Sequence, residues 1–257
     1  MSLRVRVQPA VSALLLAAAC ACMATPCAAG PDTLREALFG SKSEDGREHR
    51  HDPEVARYTA ETGATFILDR SQRRALLKFD RSGEIWALQA APAPRGDTIF
   101  KNDIGQPVLR ATRLGGLTLF TRDAPTGVAV AVAGEAPAFV VPAMTPQALV
   151  QHLARASGRA SKAAKRLVPF RASDVPAGAE FVVADAANLA AEAITRLAAS
   201  NSGRRLVDEI KGVRITVGRR PDVRLDDGLL RIVVAPKDGV AGRPSSLRIV
   251  HAVASAG

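Results

Sequence analysis

Aromatic side chains are scarce in this 257-residue chain: they make up 4%, with a single tryptophan, Trp86, and a single tyrosine, Tyr58. Single-stranded nucleic acid stacks its bases on aromatic platforms, so nucleic acid is not an expected partner, and an aromatic carbohydrate trough has few residues to build it. Cysteine is confined to Cys20, Cys22 and Cys27, close to the N-terminus. Beyond that segment no apolar run approaches the roughly 20 residues that span a bilayer. Catalytic signatures are missing as well. There is no G-x-S-x-G elbow, no H-E-x-x-H, no S-x-x-K and no phosphate-loop lysine.

What is present begins with an address. Arg4 and Arg6 precede VSALLLAAACACMA, an apolar stretch of about 14 residues followed by Pro26, small residues and Gly30. This is the layout of a secretory signal peptide over 1–29, cut after Ala29, and it makes the expected mature protein periplasmic or secreted, with no transmembrane helix after processing. All three cysteines leave with it, so the mature chain has no disulfide, no thiolate nucleophile and no cysteine metal site. Ala17-Ala18-Ala19-Cys20 offers a second reading, as a lipoprotein processing site, but an aliphatic residue normally leads that motif and the leucine run stops at Leu16. Residues 30–57 are polar and aperiodic, as in a linker. His49, His51 and Asp52 sit there without the rigid surroundings that orient metal ligands, so no metal or other cofactor is expected.

Residues 58–142 read as a β-rich unit. TFILDRS, RALLKFD and EIWALQA are short apolar or alternating runs bounded by turn residues. Two further connections carry residues that tolerate positive φ: Asn102-Asp103-Ile104-Gly105 and Gly115-Gly116. A two-residue turn at Gly115-Gly116 would pair Leu114 with Leu117 and Thr112 with Leu119, with Ala111 facing Phe120 on the other side. Both faces are partly apolar, which suits a small antiparallel sandwich or barrel. GVAVAVAGEAPAFVV adds one or two strands. Arg95-Gly96-Asp97 spells an adhesion tripeptide, too short to be informative. Asp97, Asn102 and Asp103 lack the alternate spacing of a calcium loop, and Gly115-Gly116 opens a strand where a phosphate cradle opens a helix.

The run APRGDTIFKNDIGQPVLRATRLGGLTLF, with Trp86 upstream and AGRPSSLRI near the C-terminus, resembles an uncharacterised family of exported alphaproteobacterial proteins built on a domain of unknown function. The resemblance covers most of the mature chain. It implies one module behind a signal peptide and brings no activity, cofactor or catalytic residue.

Residues 143–257 mix helix and strand. TPQALVQHLARASGRASKAAKRL has Thr145 as N-cap and Pro146 at the first helical position. A second helix is expected from Asp185 as N-cap, ended by Asn201 to Gly203. VRITV, DVRL and GLLRIVVA alternate with period two, Asp227-Gly228 supplies a hairpin turn, and a final short helix is capped near Ser245 or Ser246. The fold class is α+β, a β unit followed by helices packed on a small antiparallel sheet.

Charge is the remaining signal. The formal net charge is +10. On the first helix Arg155, Arg159, Lys162 and Arg166 fall in one stripe at 100° spacing, and Arg214, Arg219, Arg220, Arg224 and Arg231 gather around the strands that follow. A basic surface concentrates anionic partners; for an exported protein these are an anionic envelope polymer, an anionic lipid surface or an acidic protein. Arginine in excess of lysine and abundant alanine are also what a GC-rich genome yields without selection for binding. His152 lies at the border of the helix's apolar face, and Ser245 and Ser246 near His251 read as caps. Two readings stand: a non-enzymatic binding module with a basic face, or a periplasmic hydrolase whose acid and base come from Asp69, Asp80, Asp97 and Asp103.

Overall fold

The computed structural model describes residues 53–256. The expected signal peptide with its cysteines, and the linker segment holding His49, His51 and Asp52, lie outside those residues. The described residues belong to one compact unit, 49–257.

The first half is a closed antiparallel barrel of eight strands in up-and-down order. The strands are β1 (Val55–Ala60), β2 (Thr65–Asp69), β3 (Ala75–Phe79), β4 (Trp86–Pro92), β5 (Thr98–Lys101), β6 (Pro107–Ala111), β7 (Leu117–Leu119) and β8 (Val128–Glu135). β1 pairs with β8, so the structure is a barrel and the sandwich alternative falls away. Closure removes the two edges that an open meander would leave unpaired. Alternation sends Tyr58, Phe66, Leu68, Leu77, Leu88, Phe100, Leu109 and Leu119 inward, and side chains of this size fill an eight-stranded interior. The few aromatics are concentrated here: Tyr58 stacks on Phe66 at 5.5 Å between ring centroids, and Phe66–Phe79 and Phe79–Trp86 follow at 5.7 Å each.

The hairpin after β6 departs from the expected register. Ala111 pairs with Leu117, Arg110 with Thr118 and Leu109 with Leu119. Its turn is longer than two residues, because Thr112 Oγ1 accepts from Gly116 N–H at 2.9 Å and Thr112 N–H donates to Gly116 O at 2.8 Å. The threonine hydroxyl thus takes the place of a ladder partner. Leu114 projects into solvent at the tip, 95% exposed.

The second half comprises α1 (Pro146–Ala164), β9 (Phe170–Ser173), α2 (Glu180–Ala198), α3 (Asn201–Glu209), β10 (Gly212–Val217), β11 (Asp222–Asp226), β12 (Leu229–Val234) and α4 (Ser246–Ala256). Thr145 caps α1, its hydroxyl accepting from Ala148 N–H at 3.2 Å. α2 starts five residues before Asp185, which lies within it and is not its cap. Asn201 to Gly203 begin α3, with Ser200 as N-cap, where a helix end was expected.

The sheet order is β11-β12-β10-β9, and it is mixed, which corrects the antiparallel expectation. β10 runs parallel to both β9 and β12; β11 and β12 form the antiparallel hairpin, turned by Asp227 and Gly228 at positive φ. Period two identifies a strand but not its neighbour, and β9 brings a parallel partner from before α2. Phe170, Val213, Ile215, Val223, Leu230, Ile232 and Val234 share a core with the helices.

The halves meet on the outer face of β3 and β4. Leu76 points out of the barrel into a cluster with Val240 and Ala241, flanked by Ile85, Ala87, Phe139 and Phe181. Polar contacts frame this patch. Asp69 accepts from Phe139 N–H at 2.8 Å, Ser245 N–H and hydroxyl donate to Asp103 at 2.7 and 2.6 Å, and Ser246 N–H and hydroxyl donate to Glu84 at 2.9 and 2.5 Å. Two carboxylates from barrel loops therefore sit at the N-terminus of α4, where unsatisfied N–H groups and the helix dipole favour negative charge.

Gly105 and Gly115 hold φ of +83° and +87° with open space where a Cβ would stand. Gly105→Val and Gly115→Val are each expected to lower stability by about 1 kcal/mol or more, read by chemical denaturation, since the cost is in the backbone. Unchanged unfolding midpoints would contradict the turn geometry.

Three barrel carboxyls titrate below the ordinary 3.8. Burial pushes Asp69 up, but hydrogen bonds from Ser71, Phe139 N–H and Gln72 outweigh it; Asp80 is lowered by the Thr65 hydroxyl and Arg57, and Asp97 by the Arg110 guanidinium and Arg113 N–H. A depressed folded pKa gives stability that is complete above the unfolded value of 3.8 and is lost as pH falls through the lower folded value. Melting temperature is expected to fall steeply with acid below about pH 4, and Asp97→Asn is expected to melt lower at neutral pH with a shallower acid dependence.

Candidate functional site

α1 and α2 pack along one another. Ala156 and Ala160 of α1 and Ala184, Ala187 and Ala191 of α2 lie in one core cluster, and such small side chains let helices approach closely. The outer rims of the two helices and the β3–β4 loop enclose an open groove of about 1120 Å³. α1 contributes His152, Arg155, Gly158, Arg159 and Lys162; α2 contributes Asp185, Asn188, Leu189, Glu192 and Arg196; the loop contributes Arg81, Ser82, Gly83 and Glu84.

Five cations and three carboxylates line this groove, and the carboxylates are largely engaged. Asp185 accepts from buried Arg243, and Glu84 accepts from Ser246. Glu192 lies 3.5 Å from Arg196 in an exposed pair one helical turn apart. Arg159 reaches a neutral partner, donating to Asn188 Oδ1 at 3.1 Å. Arg81, Arg155 and Lys162 have no carboxylate partner among the described residues. Each is exposed.

Arg155, Arg159 and Lys162 are thus brought to one concave surface, with Arg81 from the barrel as a further cation that helix periodicity gave no means of finding. Arg166 is not part of it. α1 ends at Ala164, Lys165 turns into the left-handed region, and Arg166 donates through Nη2 to the carbonyls of Val207, Asp208 and Ile210 at 2.9, 3.0 and 2.5 Å. It closes the C-terminus of α3, where free carbonyls and the helix dipole favour a cation.

The four aspartates expected to supply an acid and a base are each held by different partners. Asp69 and Asp80 flank opposite ends of the β2–β3 pair, and Asp97 and Asp103 opposite ends of β5. Asp97 holds Arg110 at 2.8 Å from its Nε, and Asp103 holds Ser245. Ser245 caps α4 through Arg248 N–H at 3.0 Å, and Ser246 is bound to Glu84, so neither hydroxyl is presented to His251. Among the described residues no group of three or more His, Cys, Asp or Glu is placed to hold a metal ion. No described helix is long and apolar enough to cross a membrane.

Comparison with sequence families matches residues 33–253 to the domain of unknown function DUF4908. No curated protein and no solved structure matches the chain.

The two roles of the arginines separate by mutation. Arg166→Gln is expected to cost about 2 kcal/mol, because charge-assisted hydrogen bonds to three carbonyls are lost, whereas Arg155→Gln leaves the urea midpoint within experimental scatter. Equal midpoints would mean that Arg166 does not close α3.

Proposed function

The chain belongs to the DUF4908 family, a membership that brings no chemistry with it, so from the groove itself we propose that the protein is an exported, non-enzymatic binding module that holds an anionic envelope component. The observation that carries this reading is the convergence of Arg81, Arg155 and Lys162, from two separate elements, on one concavity where none of the three is paired with a carboxylate. Like charges on one helix face mildly oppose the helix, and an anionic occupant would offset that. A concave site also suits a polymer segment or an acidic protein loop better than a flat lipid surface. The signal-peptide layout of the N-terminus supports a periplasmic or secreted location, where such polymers are found. The hydrolase reading draws no support from the aspartates, which are each engaged by different partners.

The triple variant Arg81→Gln, Arg155→Gln, Lys162→Gln keeps helix propensity nearly unchanged. Co-sedimentation with purified cell-wall sacculi at low salt is expected to be strong for the native protein, to decline as salt is raised, and to weaken by about tenfold or more in the variant. A native protein that does not sediment, or a variant that sediments equally well, would overturn the proposal.

A further inference from the structure

Four arginines stand in direct register across the sheet. Arg171 of β9 is opposite Arg214 of β10, Arg214 is opposite Arg231 of β12, and Arg231 is opposite Arg224 of β11. Strands lie about 4.8 Å apart, so the row crosses the sheet over about 14 Å. Directly paired residues project to the same face. The alternate positions, Val213, Ile215, Leu230, Ile232 and Val223, are buried in the core shared with the helices, which places the arginine row on the face turned away from α1 and α2 and from the groove.

Like charges directly opposite each other destabilise a sheet, and this sheet has three such pairs in sequence. Only one end is relieved: Asp226 lies 3.0 Å from Arg224 Nε and 3.4 Å from Arg231 Nε. Arg171 and Arg214 have no carboxylate partner among the described residues. With Lys211 they line a depression of about 200 Å³ that holds one carboxylate, Asp227. Two residues along on the same face, Ser173 of β9 and Thr216 of β10 are paired and present hydroxyls beside the guanidinium row.

These features select among anionic partners. None of the exposed large apolar side chains is on the sheet, so the face has no means of inserting into a bilayer. Phe170 is buried on the opposite side, so no aromatic ring is available for bases. The guanidinium fork takes carboxylate and phosphate alike, a straight row at regular spacing matches a linear chain with one charge per repeat, and the adjoining Ser173 and Thr216 hydroxyls favour a sugar chain over polyphosphate. We propose that the arginine row is a binding surface for a linear acidic polysaccharide, its carboxylates on Arg171 and Arg214 and its hydroxyls toward Ser173 and Thr216. The surface is separate from the groove and stands whether or not the groove is occupied.

The full chain is titrated calorimetrically with polygalacturonate at low salt, beside polyphosphate and phosphatidylglycerol vesicles. Native protein is expected to bind polygalacturonate in preference to both. Arg171→Gln with Arg214→Gln is expected to weaken that binding by about tenfold while melting at the same or a higher temperature, because a like-charge contact is relieved; Arg73→Gln with Arg122→Gln, exposed on barrel loops and lining neither surface, is expected to leave it unchanged. If the glutamine pair melts lower, Arg171→Lys with Arg214→Lys, which keeps the charge without the fork, must still weaken binding severalfold. No binding, binding that survives these changes, equal loss with the barrel variant, or preference for polyphosphate or vesicles would each overturn the proposal.

Discussion

The arrangement of both halves depends on a buried arginine. The Arg243 side chain is 1% exposed, donates from Nε to Asp185 of α2 at 2.5 Å and from Nη2 to the Ile85 carbonyl at 2.9 Å. A guanidinium taken out of water loses several kcal/mol of solvation, and only good geometry with full hydrogen bonding offsets it. Those bonds come from opposite halves of the chain, so the charge is tolerated only when the barrel and the helices are docked together. Two residues later, Ser245 and Ser246 carry the same logic to the start of α4 through Asp103 and Glu84. The patch of Leu76, Val240 and Ala241 supplies apolar contact but no direction; the polar bonds fix the orientation.

The groove is a consequence of that docking. Arg81 is on the same loop as Glu84 and Ile85, both held at the junction, so the loop is pinned with its cation beside α1. Asp185, the acid nearest in sequence to the groove's asparagine, is withdrawn from neutralising the rim by Arg243. The excess of cations over unengaged carboxylates along the groove therefore follows from where the carboxylates are used as much as from where the arginines stand. Cations are left over because the acids hold the fold.

Much of the local structure is legible in the sequence because it rests on near neighbours. The N-cap Thr145, the Asp227-Gly228 turn and the strand periodicities are local, and all three are seen. What fails involves distant partners. Asp185 has the chemistry of an N-cap, but the apolar run Phe181 to Ala184 lets the helix start earlier, and its partner is 58 residues away. Arg166 fits the 100° stripe, yet the helix stops first and carbonyls more than 40 residues downstream claim it. β9 is four residues long and mostly polar outside Phe170, so its pattern is too short to announce a parallel partner. For the candidate site, three cations could be placed on one helix face, while Arg81 and the withdrawal of Asp185 exist only in three dimensions.

A sheet packed by helices on one side must present something polar on the other. Arginine can do this structurally, since its three methylenes cover the pleat while the head stays in water. Solvation alone, however, is met equally well by alternating signs, and cross-strand opposite charges would add stability where like charges subtract it. The β11–β12 hairpin shows that alternative in use, with Asp226 set between Arg224 and Arg231. At β9 and β10 the same device is absent, and hydroxyls stand where a carboxylate would have been the stabilising choice. Two strand pairs of one sheet thus solve one solvation problem in different ways, and the unrelieved half is the half that lies over a depression able to receive an anion.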